Sequence, residues 1–146
     1  MPTIVRWPGH VKPGTVSDRV SGFEDWLPTL MEAVGGRETV SDEVDGISML
    51  ATLEGKKQAE REYLYREFPS YGGQQTIRVG DWKAVRQNMS KGNLNIELYN
   101  IADDISEKND VAEDNPAVVA QLEKMMGEVR TPSEMFPLKP LDGRRK

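Results

Sequence analysis

The chain has 146 residues, 24 acidic against 19 basic side chains and a formal net charge of −5, which suits one domain or one and a small remainder. Nucleic-acid binding needs a basic face to neutralise phosphates, and here the bases are scattered apart from Arg144, Arg145 and Lys146 at the end, so no nucleic-acid partner is expected. With no cysteine, disulfides, thiolate catalysis and cysteine–zinc sites are excluded. The compartment stays open, no signal-peptide pattern is visible, and no run of about 18 apolar residues offers a membrane span.

In chain order, "TIVRWPG" (3–9) reads as a short β-branched strand that enters a turn at Pro8-Gly9, followed by a second turn at Pro13-Gly14. "EDWLPTLMEAVGG" (24–36) reads as a helix with Leu27, Leu30, Met31 and Val34 on one side. Asp25 is placed to cap it, Pro28 falls in the first turn where a missing N–H costs little, and Gly35 suits the left-handed C-terminal position. "DGISMLATLEG" (45–55) is a turn and a short apolar stretch. The wholly polar "KKQAERE" (56–62) marks a boundary between two structural units.

From residue 63 the apolar period changes to two. "YLYREF" (63–68), "TIRV" and "WKAV" (76–85, joined by Gly80-Asp81) and "NIELYNI" (95–101) predict about four antiparallel strands. Gly80-Asp81 predicts a type II′ hairpin with glycine at positive φ. Asn115 is expected to cap, and Pro116 to begin, a helix whose stripe is Val118, Val119, Leu122, Met125, Met126 and Val129, expected to lie on one face of the sheet. Three prolines in "TPSEMFPLKPLDGRRK" exclude regular structure over most of the tail. The fold class is therefore α+β.

Between the last strand and this helix lies the densest run of acids, "LYNIADDISEKNDVAEDNP" (98–116). It does not have the spacing of a calcium loop: Ile105 and Lys108 stand where oxygen ligands are needed, and no central glycine follows. It reads as a strand-to-helix connection, acidic where the helix N-terminus favours negative charge. His10, the single histidine, sits in a turn and reads as a surface residue. "SYGGQQ" lacks the spacing and lysine of a phosphate loop. No catalytic residue or metal ligand is assigned on the residues alone.

The segments "PTIVRWPGHVKPGTVSD", "DWLPTLMEAVGG", "DGISML", "REYLYREF", "IRVGDWKAVR", "ELYNIADDISEKNDVAEDNP" and "TPSEMFPL" occur in the order seen in sulfatases of the arylsulfatase type. From residue 2 to about 138 the chain resembles the C-terminal part of such an enzyme. The resemblance implies that residues 1–55 are the closing strand and helix of a large α/β domain related to alkaline phosphatases. Residues 56–146 would be the smaller subdomain, an antiparallel sheet with one long helix. It also implies sulfate-ester hydrolysis by a formylglycine hydrate, with calcium neutralising the sulfate oxygens. Here the sequence departs from the family, because it has no cysteine and none of its eight serines begins a Ser-x-Pro-x-Arg. Catalytic and metal residues therefore cannot be carried over, no cofactor is assigned to this chain, and it is expected to be inactive alone. In similar enzymes the loop between the first two subdomain strands approaches the pocket mouth. This makes Tyr71, Gln74 and Gln75 candidate contacts for a sulfated substrate in a full-length enzyme, the other reading of the segment being an ordinary exposed loop. The other reading is a standalone binding module that reuses the subdomain. An uncovered strand 3–7 and helix 24–34 are expected to drive homo-oligomerisation.

Overall fold

The computed structural model describes residues 3–143. The chain divides at Arg61–Glu62 into two compact units.

In the first unit a 3₁₀ turn, Phe23–Asp25, leads into α1, Trp26–Ala33. Gly35 (φ +76) ends it in a Schellman arrangement, in which the Gly36 N–H donates to Met31 O at 2.8 Å and the Gly35 N–H to Glu32 O at 3.0 Å. The buried side of α1 is Asp25, Pro28 and Thr29. The Thr29 hydroxyl donates to Asp25 O (2.6 Å) and accepts the Met49 N–H (2.8 Å), which fastens the segment before α2, Leu50–Leu53, along that side. Gly46 permits the approach, since a Cβ there would lie 2.1 Å from Glu24 O. The apolar stripe of the helix stays uncovered: Phe23, Leu27, Leu30 and Val34, spaced four, three and four, are all more than half exposed.

Two sequence expectations fail in this unit. Residues 3–7 form no strand, although the turn after them closes through Val11 N–H to Trp7 O at 2.9 Å. The single sheet among the described residues is built from strands within 64–100, and residues 3–7 do not join it. Asp25 does not cap the first turn of α1. Its carboxylate instead accepts the N–H of Gly22 (2.8 Å) and of Ile47 (2.7 Å) and pairs with Arg61. The polar segment 56–61 is thereby held to the unit, with Gln58 bonded to Thr52 and Ser48 and the Arg19 guanidinium to Ala59 O at 2.6 Å.

The second unit is a four-stranded antiparallel meander, β1 Leu64–Phe68, β2 Gln74–Val79, β3 Trp82–Arg86 and β4 Glu97–Asn100, in spatial order one to four. Val79 pairs Trp82 across Gly80-Asp81, and only the glycine of those two has positive φ (+55), as the II′ signal requires. α3, Pro116–Glu128, packs Leu122 and Met126 against Ile77, Ala84 and Leu98 on one face of the sheet. Ile77, Leu98, Leu122 and Met126 each contribute about 1.5–3 kcal/mol when fully buried. Val85, Tyr99 and Ile101 form a smaller apolar cluster. Asn115 occupies the position before α3 without capping it, and its amide donates to Val111 O at 2.9 Å.

The acidic stretch folds as the connection from β4 to α3. Asp110 accepts the N–H of Leu98 and of Ala112, and Asp104 accepts those of Lys108 and Asn109. The Asn109 N–H, first among these donors to Asp104, holds its carboxyl below the usual range. Glu107, at φ +53, turns back to meet the Lys83 ammonium at 2.6 Å. Among the described residues of the proline-rich tail a short helix, α4 Lys139–Asp142, follows Leu138, which is buried at 2% exposure.

Candidate substrate-facing loop

Between β1 and β2 the chain reverses through Pro69–Gly73. Three successive residues are left-handed: Tyr71 at φ +52, Gly72 at +89 and Gly73 at +77. The turn is closed by the Gly73 N–H to Ser70 O (3.1 Å) and tied to a neighbouring loop by the Ser90 N–H to Gly72 O (2.8 Å) and the Met89 N–H to Gly73 O (3.1 Å). Gly73 is required twice over, by its φ and because a Cβ would lie 3.3 Å from both Met89 Cβ and Leu138 Cδ1. The Tyr71 ring stacks on Phe68 with centroids 5.8 Å apart and 17° between planes.

The three candidate residues separate. Tyr71 stands out at 85% exposure. Gln74 is half-buried and lies opposite Phe68 in the β1–β2 register, so the two share a face of the sheet. Gln75 points to the other face and is buried, 1% exposed. Its amide donates to the Tyr65 hydroxyl at 2.8 Å and its carbonyl accepts from Arg86 Nη1 at 2.9 Å. Gln75 thus holds the strand from beneath while Tyr71 and Gln74 face outward.

Around Gln75 lies a polar network that local spacing gave no means of finding. The Tyr65 hydroxyl donates to Glu67, and Arg130 Nε donates to the same carboxylate at 2.6 Å. Arg130 Nη1 meets Asp142 at 2.7 Å, so one guanidinium ties α4 and the strand β1 together. Arg86 reaches Leu94 O at 3.0 Å and Glu123 on α3. Burial pushes the Tyr65 hydroxyl well above the usual phenol range, with its Glu67 hydrogen bond adding to that. The Asp142 and Glu67 carboxylates raise Arg130 above its ordinary value, so it stays charged.

His10 is exposed and stacks on Trp7 with centroids 4.0 Å apart. Among the described residues no three His, Asp or Glu side chains converge as a metal site would require.

An α-helix laid on a four-stranded antiparallel meander, with an acidic connection into the helix, is the C-terminal subdomain architecture of sulfatases in the alkaline phosphatase superfamily. The family model for the C-terminal region of N-sulphoglucosamine sulphohydrolase matches residues 1–132, and the chain belongs to that family. An N-acetylgalactosamine-6-O-sulfatase of Bacteroides thetaiotaomicron is 29% identical over 144 residues, covering 90% of this chain and 27% of its own length. An ulvan-active sulfatase of Formosa agariphila is 38% identical over 65 residues, covering 44% of this chain and 13% of its own. A solved protein in complex with its substrate D-glucosamine-2-N,6-O-disulfate shares the fold, with a TM-score of 0.72 at 22% identity over 86% of this chain and 27% of that one. The chain thus spans well under a third of the length of these relatives.

Proposed function

We propose that the chain is the closing scaffold of a sulfuric ester hydrolase that acts on sulfated saccharides, and that hydrolysis depends on residues outside it. One observation carries this reading: a sulfatase C-terminal family match over residues 1–132 in a sequence without a Cys/Ser-x-Pro-x-Arg nucleophile. The names of the relatives supply the saccharide class. The outward loop at Tyr71 and Gln74 would border the substrate. Purified chain mixed with calcium and an aryl sulfate should release no product above buffer. Calcium-dependent turnover that persists through further purification would overturn the reading.

In isolation, the stripe Phe23, Leu27, Leu30 and Val34 would be covered by a second copy of the chain, giving a homo-oligomer. No nucleic-acid or membrane partner is proposed.

A further inference from the structure

The tail after α3 commits its buried side chain, Leu138, to the reversal between β1 and β2. Residues 131–137 are exposed apart from the half-buried Ser133, whereas Leu138 is 2% exposed. Leu138 Cδ1 lies 3.3 Å from where a Cβ on Gly73 would stand, with Met89 Cβ at the same distance. The reversal is thus gripped at a residue with no side chain of its own to fill the space. Its backbone is also strained. Tyr71, at φ +52, carries a Cβ in the left-handed region, and at 85% exposure its ring recovers little by burial. Such a conformation persists only where its surroundings over-determine it. Here those surroundings are the Met89 and Ser90 N–H bonds to Gly73 O and Gly72 O, and the Leu138 side chain.

Arg130 fastens the tail in turn. Its guanidinium meets Asp142 through two nitrogens, at 2.7 and 2.8 Å, and Asp142 Oδ2 accepts the Leu138 N–H at 2.7 Å. Arg130 Nε donates to Glu67 at 2.6 Å, one residue before Phe68, on which the Tyr71 ring stacks. One guanidinium therefore holds both the strand that enters the reversal and the tail that packs against its exit. Elsewhere the described tail buries no side chain, so its opening exposes little.

We propose that residues 131–142 form a releasable strap that sets the backbone of the 69–73 reversal, with Arg130 as its latch and Leu138 as its pin. Docked, the strap keeps Tyr71 left-handed and its ring against Phe68. Released, it frees Gly73 on one side, and Tyr71 relaxes to an ordinary backbone conformation. The four strands stay paired, because their apolar core is Ile77, Ala84, Leu98, Leu122 and Met126, none of it in the strap. The coupling runs both ways, so a change that eases the strain at Tyr71 tightens the strap.

Amide hydrogen exchange on the isotope-labelled 146-residue chain reads both ends. Asp142→Asn removes the ion pair yet keeps an oxygen for the Leu138 N–H. Leu138→Ala removes the pin yet keeps the latch. Each should speed exchange at the Gly73, Met89 and Ser90 amides, by about tenfold or more for Leu138→Ala, while the hydrogen-bonded amides of β2 and β3 keep their protection. Tyr71→Asn, which tolerates positive φ, should slow exchange of the Leu138 amide, a result that a passive tail contact would not give. Reversal amides unmoved by either strap variant, or a loss shared equally by the strands, would overturn the strap. So would a Leu138 amide that exchanges as fast in Tyr71→Asn as in the parent, or faster.

Discussion

The Asp25 carboxylate and the Arg61 guanidinium, 36 positions apart in sequence, form an ion pair with side chains 2% and 7% exposed. Asp25 also holds two backbone N–H groups, from Gly22 and Ile47. Removing the acid therefore strands a buried cation and two donors. Asp25→Ala should lower stability by about 3–5 kcal/mol. Arg61→Met should cost less, since the carboxylate keeps both N–H donors. Urea denaturation of both variants gives the order, and a larger loss in Arg61→Met would contradict this account.

Arg130 is the link between α4 and the sheet. It contacts Glu67 and Asp142, and Asp142 also accepts the Leu138 N–H at 2.7 Å. Arg130→Met should remove a shared countercharge from two largely buried carboxylates, Glu67 and Asp142, and cost about 2–3 kcal/mol, discounted from a fully buried pair. The Leu138 amide should lose hydrogen-exchange protection before the strand amides of β2 do. Equal protection loss across the unit would mean that the tail is not held in this way.

Burial pushes the Tyr99 hydroxyl up to about 12, helped by its bond to Glu97 at 2.9 Å and by the nearby Asp110 and Glu107 charges. The folded state therefore holds this proton more tightly than the unfolded chain, whose phenol titrates near pH 10. Its contribution to stability is fully present below about pH 10 and is lost as pH rises toward 12. Denaturation midpoints should fall across that window, and Tyr99→Phe should flatten the fall. An unchanged alkaline slope in Tyr99→Phe would assign the loss to another group.

Leu27 and Leu30 are exposed in the single chain, so at dilutions where the parent is monomeric Leu27→Ser with Leu30→Ser should change unfolding stability by no more than about 0.5 kcal/mol per site. The same double variant should shift the light-scattering mass from an oligomer to a monomer. A parent chain that is already monomeric at high concentration would remove the proposed self-association.

Elements whose signal is local were legible in the sequence. The Gly80-Asp81 hairpin, the start of α3 at Pro116 and the end of α1 at Gly35 follow from backbone preferences that a few adjacent residues declare. What was not legible depends on distant partners. Residues 3–7 have strand-like composition but join no sheet among the described residues. Asp25 looked like a helix cap because its competing partners, Ile47 and Arg61, lie far along the chain. Of the loop candidates, Tyr71 and Gln74 lie outward. Gln75 was beyond sequence reasoning because strand alternation turns it toward Arg86 and Tyr65, and both the strand start and the network had to be known first. Leu138 gave no periodic signal inside a proline-rich tail, although it is among the most buried side chains.

The contact of Leu138 with the space beside Gly73 joins the far terminus to the turn that presents Tyr71. Clipping the chain ahead of Leu138 would leave a hollow under that turn. Proteolytic trimming or a bulky fusion at this end would then disturb the 69–73 reversal, although nothing removed belongs to it. Lineages that replace Leu138 with a bulkier residue should have had to rebuild the 69–73 reversal as well, so the two positions are expected to drift together.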